Sequence, residues 1–344
     1  MKAVVVHAPR DLRIDEVECP AVGPGEVMVR IRAGGICGSD LHYYLHGGFG
    51  TVRVQEPMIL GHEMAGEVLE TGAGVTNLRA GERVVVNPSR ACGQCRFCQE
   101  GKANHCLDMR FYGSAMRMPH VQGGFREFLV CPAVQAVPVP ADLPLEQAVF
   151  AEPLSVCLHA ARQAGALHGR RVLITGSGPI GALCVLVARH AGAREIVVTD
   201  LAEAPLTAAK RVGADLALNV ATDPQALVPF TADKGCFDVA FEAAGAGSAL
   251  AGALQAVRPG GTIVQVGIAS GEATIPLNVL VAKEITLRGT FRFHEEFAWA
   301  VFLLATRAVD VMALLTEVVP LADAVRAFDL AADRSRSMKV QLAL

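Results

Sequence analysis

Residues 171–181 read Arg171-Val172-Leu173-Ile174-Thr175-Gly176-Ser177-Gly178-Pro179-Ile180-Gly181 and run straight on into Ala182-Leu183-Cys184-Val185-Leu186. Five strand-forming residues, a G-x-G-x-x-G turn and an apolar run predict a strand, a phosphate-binding loop and a helix. Gly176 permits the tight turn, Gly178 lets the backbone approach a pyrophosphate, and Gly181 lets helix and strand pack closely, while the helix N-terminus meets the phosphate charge. In a chain with 34 glycines the motif alone is weak, and a βα turn without a ligand is the plain alternative. A second strand, Glu195-Ile196-Val197-Val198-Thr199-Asp200, strengthens it, because it ends in an acid about twenty residues on, where a ribose 2′-hydroxyl needs an acceptor. Asp200 would repel a 2′-phosphate, and Leu201-Ala202-Glu203-Ala204-Pro205 supplies no cation to hold one. NAD is therefore expected rather than NADP.

Working outward, the downstream chain alternates apolar strands (195–200, 237–241, 262–266) with Ala-rich helical runs (180–191, 202–212, 248–257). That rhythm predicts an α/β, doubly wound parallel sheet. Upstream, short β-branched runs at 4–6, 27–31, 66–69, 83–86 and 128–130 are broken by Gly and Pro, as in a barrel-like all-β unit. A helical stretch at 295–306 and a short strand near 339–342, able to return to the first unit, complete the chain. With 344 residues two domains are expected: 1–152 plus 290–344, and 153–289.

The net charge of −3 carries no basic stripe, which argues against nucleic acid or an anionic membrane as partner. The N-terminal apolar run is too short for a signal core, and the longest uncharged stretch is interrupted by Gly176, Gly178, Pro179 and Gly181. A soluble, cytoplasmic protein is expected. In a reducing compartment ten cysteines point to metal or catalysis rather than disulfides.

Four of them, Cys92, Cys95, Cys98 and Cys106, fall within fifteen positions and offer enough thiolates to close a tetrahedral zinc with no open position. Such a site holds a lobe, about residues 90–107, together. His105 competes for the fourth place, but Cys106 completes an all-sulfur set. Cys19, Cys131, Cys157, Cys184 and Cys236 read as buried apolar thiols. Cys37, His62, Glu63 and Glu152 lie too far apart for spacing to join them. Singly they read as a buried thiol, a core histidine and surface acids.

Taken together, GICGSDLHYY (35–44), LGHEMAGEV (60–68), the four-cysteine lobe, AEPLSVCLHA (151–160), GSGPIG (176–181), FEAAG (241–245), VQVGI (264–268) and RGTFRF (288–293) resemble the zinc-dependent medium-chain dehydrogenases. Within that family the likeness is to the polyol dehydrogenase branch. The resemblance implies a GroES-like catalytic domain beside a Rossmann NAD-binding domain, and two zinc ions per chain. Cys37, His62 and Glu152 would ligate the catalytic zinc, with Glu63 and a water or substrate oxygen sharing the remaining space. A zinc with an open position can lower the pKa of a bound alcohol so that it releases hydride. Ser39 and then His42 would carry the proton away, and Asp40 would orient His62. Val266, Gly267, Ile268, Thr290 and Arg292, with Pro179 and Ile180, would contact the cofactor. Tyr43 and Phe111 would contact substrate. His46, His120 and His159 are given no metal role.

Residues 109–125 look like the corresponding loop of the L-idonate 5-dehydrogenases. Arg110, Arg117 and Arg292 are then candidates for a substrate carboxylate, since guanidinium forks match its geometry. This implies oxidation of L-idonate at carbon 5 to 5-ketogluconate. Sorbitol or xylitol oxidation is the rival, and threonine dehydrogenase a more distant one, its sequence after the Glu-Pro being different. A catalytically silent NAD-binding protein is disfavoured because every expected position is filled. Relatives form dimers or tetramers, often by joining the edges of their cofactor sheets, and 278–281 with 284–289 would suit such an edge.

Overall fold

The computed structural model describes residues 1–269 and 271–344. The strand Arg171–Thr175 lies inside a six-stranded parallel sheet. Across the sheet the order is Leu216–Asn219, Glu195–Asp200, Arg171–Thr175, Phe237–Glu242, Val257–Gln265 and Thr286–Gly289. Numbered along the chain this is 3-2-1-4-5-6, the doubly wound order whose switch point lies between the first and fourth strands. Val172, Leu173, Ile174, Ile196, Val197 and Val198 have no solvent exposure, which explains their continuous apolar runs: a parallel sheet is covered on both faces.

The glycine-rich turn leads into the helix Pro179–His190, with proline at its start, where its missing N–H costs no helical bond. Gly176 has φ +85, and a Cβ on Gly181 would sit 1.9 Å from the Gly176 carbonyl oxygen, so neither position accepts a side chain. A Cβ on Gly178, by contrast, would project into open space within reach of the same turn.

The N-terminal part is built on a seven-stranded sheet. Its central strand, Glu26–Gly35, pairs antiparallel with Glu63–Thr71, Phe128–Pro132 and the C-terminal strand Lys339–Ala343. The chain thus returns to its first unit, with Gln341 opposite Gly35. A separate three-stranded sheet contains Lys2–Ala8. Two helices interrupt this β-rich half without a clear signal in the sequence, Gly38–His46 and Ala151–Ala164. Pro153 is tolerated in the first turn of the second, where its missing N–H breaks no internal bond. Cys131, Cys157 and Cys184 are buried as expected, but Cys19 is exposed beside Pro20 and Cys236 is half-buried.

Helix Glu296–Ala305 packs along Ala151–Ala164 through a buried charge cluster. Glu296, with no solvent exposure, accepts from His159 at 2.9 Å, Arg162 at 3.0 Å and the His294 amide at 2.8 Å. Burial alone would raise its pKa, but the His159 hydrogen bond, followed by the backbone amides, pulls it down to about 2. A carboxylate held below its unfolded value stabilises the fold above about pH 4.5, and that contribution drains as the pH falls toward 2. Glu296→Gln is expected to cost about 2 kcal/mol at pH 7 and to flatten this acid limb in denaturation curves recorded against pH. An unchanged limb would place the acid sensitivity elsewhere.

Candidate active site

Cys37, immediately before helix Gly38–His46, and His62, immediately before strand Glu63–Thr71, arrive from separate elements. One fully buried carboxylate ties them together: Asp40 accepts from the Cys37 amide at 2.9 Å and from the Gly61 amide at 3.1 Å. The resulting cluster holds the ligand atoms of Cys37, His62 and Glu63 within 4.8 Å of one another. Asp40 Oδ1 lies 3.6 Å from His62 Nδ1, longer than a hydrogen bond, and that buried nitrogen has no other partner. Burial depresses the His62 pKa, yet Asp40 and Cys37 together carry it well above the ordinary imidazole value. A cation would relieve this gathering of anionic donors.

Glu63 is held by a residue that the sequence did not single out. Lys339, on the C-terminal strand and as buried as its partner, donates to Glu63 Oε1 at 2.6 Å and to the Ile36 carbonyl at 3.0 Å. A Cβ on Gly35 would fall 2.0 Å from Glu63 Oε2, so the glycine opposite is what lets the carboxylate tuck in. Glu152, in the first turn of helix Ala151–Ala164, is buried but stands outside the tight cluster. Burial pushes its pKa up to about 7, with His62 and Lys339 lowering it and Glu63 and Asp40 raising it. The structure thus draws Glu63 into the tight cluster with Cys37 and His62, and leaves Glu152 close enough for the charges of His62 and Glu63 to act on it. Ser39 is half-buried and His42 exposed on the same short helix. Burial, followed by the charges of His46 and Arg334, lowers the His42 pKa, which favours the neutral imidazole.

The second cysteine set closes on itself. Cys95 Sγ lies 3.5 Å from Cys98 Sγ and 4.0 Å from Cys106 Sγ, and all four sulfurs lie within 4.8 Å. Those gaps bracket the edge of about 3.8 Å expected for a tetrahedron with zinc–sulfur bonds of about 2.3 Å. The Cys92 and Asp108 amides both donate to Cys106 Sγ. Backbone donors pull the Cys95 thiol down to about 6, while burial and its sulfur neighbours push Cys98 up to about 12. Four thiolates here require a cation, and zinc fits the donor set. His105 stands outside it, stacked on Phe291 at 6.1 Å. The lobe also supports the loop after the cofactor sheet, since Asn104 donates to the Phe291 carbonyl at 3.0 Å.

The three substrate-carboxylate candidates fall in two cavities, Arg117 and Arg292 in one and Arg110 in the other. Arg110 and Phe111 are consecutive residues of a short strand, so their side chains leave opposite faces. Phe111 turns toward His62, ring centroids 5.5 Å apart, and carries the Arg292 guanidinium 4.1 Å above its ring. It lines a cavity of about 310 Å³ with Arg117 and Arg292. Arg110 lines a different cavity, with Arg90. Arg117 is taken up locally by the Met109 and Leu107 carbonyls and by Asp108 at 2.8 Å. Of the three, Arg292 is the one stacked on the ring that faces His62, and among the described residues it forms no ion pair; burial, against the charges of Glu152 and Tyr43, lowers its pKa to about 10. Tyr43 is buried, its oxygen accepting from the Ala115 amide at 3.1 Å, which leaves its O–H to donate.

At the cofactor end, Asp200 accepts from the Ser177, Leu201 and Ala202 amides at 2.6, 2.7 and 3.0 Å. This fixes the carboxylate at the rim of the turn. Val266 and Gly267 are anchored by their amides to the Glu242 carbonyl, and Thr290 by its amide to Gln265. Ile268 is 70% exposed at the open end of the sheet, where a planar ring would cover it. Glu242, fully buried, braces this end by accepting from Ala244, Gly245 and Gln265. The FEAAG segment carried that residue without marking its role.

Residues 23–141 match the family described as alcohol dehydrogenase GroES-like domain, and residues 179–306 match zinc-binding dehydrogenase. The chain belongs to the zinc-dependent medium-chain dehydrogenases, and within them to the polyol branch. Among its relatives is L-idonate 5-dehydrogenase (NAD(P)(+)) of Escherichia coli strain K12, 44% identical over 92% of this chain and 91% of that protein. The crystal structure of the E. coli L-idonate 5-dehydrogenase superposes with a TM-score of 0.96 at 41% identity, covering 100% of this chain and 98% of that one. Human sorbitol dehydrogenase is 36% identical over 95% of this chain and 91% of its own length. The expected GroES-like and Rossmann architecture is thus the one found. The chain is a dehydrogenase of the kind that uses zinc and NAD(P).

Proposed function

We propose that the protein oxidises L-idonate at carbon 5 to 5-ketogluconate with NAD. The observation that carries this reading is Arg292, a half-buried guanidinium with no acid partner, stacked over Phe111 beside the Cys37–His62–Glu63 cluster. A substrate carboxylate would form a charge-assisted pair with it, whereas a neutral polyol would offer it only hydroxyl oxygens. Cys37 and His62, with Glu152 and Glu63 as the carboxylates beside them, would hold the catalytic zinc, and Cys92, Cys95, Cys98 and Cys106 would hold the second ion. When bound, the zinc would supply Lewis acidity toward the alcohol and NAD the hydride acceptor. Ser39 takes the alcohol proton and His42 passes it to solvent. Tyr43 orients a substrate hydroxyl through its O–H.

The test is NADH production on a panel of L-idonate, gluconate, sorbitol and xylitol, with wild-type protein and Arg292→Met. L-Idonate is expected to lead, and the substitution to lower kcat/KM for it by roughly 10- to 100-fold, the loss of one charge-assisted pair, while sorbitol is barely affected. Sorbitol leading in the wild type would favour the polyol reading supported by the human relative. Asp200 is proposed to select NAD. Asp200→Ala should raise KM for NAD by roughly 10-fold, as loss of a charged hydrogen bond would, and narrow the preference over NADP in initial-rate assays. An unchanged ratio would remove Asp200 from that role.

We further propose a homodimer or tetramer paired along the strand Thr286–Gly289. It is exposed throughout at the sheet edge, beside Leu277 and Val281, which are 59% and 65% exposed. An unpaired apolar edge of this kind calls for a partner strand. Among the described residues no helix is long and apolar enough to cross a membrane.

A further inference from the structure

We propose that the cavity over the Arg90–Arg110 pair binds a small, doubly charged oxyanion of phosphate size. The two arginines stand directly opposite one another in the two-stranded ladder that closes the neck of the four-cysteine lobe. Like charges in that position destabilise a sheet unless something neutralises them. Among the described residues neither arginine forms an ion pair or a side-chain hydrogen bond. The cavity they share, about 240 Å³, is lined by no acid. It is instead furnished with donors. Gln122 faces it, its side-chain oxygen used by the Ile59 amide so that its NH2 remains free, while Tyr112 lines it with its O–H directed at Gln135 Oε1, 3.5 Å away. A third guanidinium, Arg126, outside the cavity lining, has its Nε buried and without a hydrogen-bond partner and adds positive charge near Tyr112. His120 does not compete, because the Gln55 amide and the Arg117 carbonyl occupy both its ring nitrogens. Two exposed forks and an amide around a space of this size suit the three or four oxygens of a phosphate. Val121 is the one lining residue this cavity shares with the cavity that Arg292 and Phe111 line.

The experiment titrates inorganic phosphate, and in a second arm glycerol 3-phosphate, into zinc-loaded, NADH-saturated protein, so that the cofactor loop is already filled. Binding is followed by thermal shift and 31P NMR against sodium chloride of equal ionic strength. Wild type should show a saturable rise in melting temperature beyond the chloride control. Arg90→Ala should weaken it at least 10-fold, and Arg90→Lys less. In chloride alone Arg90→Ala should melt no lower than wild type, because it removes the repulsion; a merely structural arginine would melt lower. Tighter binding of the ester identifies a phosphorylated metabolite as the ligand, and tighter binding of the free ion identifies inorganic phosphate. A shift equal to the chloride control, or one unchanged in Arg90→Ala and in Arg110→Gln, overturns the proposal. Zinc content and circular dichroism report whether each variant has folded.

Discussion

Lys339→Met is expected to destabilise the protein by about 3–5 kcal/mol, the cost of leaving one member of a buried ion pair without its partner. Glu63 has no solvent exposure, and Lys339 is the cation that meets it. Removing the ammonium also frees the Ile36 carbonyl beside Cys37, so both the carboxylate and the thiol loop lose a fixed point. Urea denaturation measures the loss. The double variant Lys339→Met with Glu63→Gln should recover a large part of it, because a neutral pair no longer carries an isolated charge. A single variant within about 1 kcal/mol of wild type, the scale of an exposed pair, would show that the bridge does not hold the site. Chelator competition gives a second readout: the metal should leave the Lys339→Met protein faster if the lysine fixes Glu63 in place.

His62→Ala is expected to reduce kcat/KM by about three orders of magnitude, or roughly 4 kcal/mol in the transition state. Metal analysis should fall by one zinc per chain while the four-cysteine ion remains. Cys95→Ser should lose the other zinc and loosen the lobe, exposing the Asn104–Phe291 contact that supports the Arg292 loop. The two variants therefore separate chemistry from support. Full zinc retention in His62→Ala, with turnover within 10-fold of wild type, would take the histidine out of the metal site.

The parts of this protein that its sequence determined are those in which the interacting groups are neighbours along the chain. The turn at 176–181 was legible because the strand, the glycines and the helix start are contiguous, and steric limits on Cβ atoms act within that stretch. The four-cysteine lobe was legible for the same reason, since fifteen residues contain every donor. Cys37, His62, Glu63 and Glu152 became a set only through resemblance, because no spacing rule joins residues on different elements.

Tertiary structure decided the rest. Asp40 binds the Cys37 and Gly61 amides at once, which requires the helix and strand to be packed first. Lys339 reaches Glu63 across 276 residues because the last strand pairs with Glu26–Gly35. Three arginines that looked equivalent along the chain were sorted by a two-residue strand that turns Arg110 and Phe111 to opposite faces, and by carbonyls that claim Arg117. A sequence names the groups that can bear charge, but only packing decides which of them are desolvated together, and desolvation is what makes a charge bind a partner.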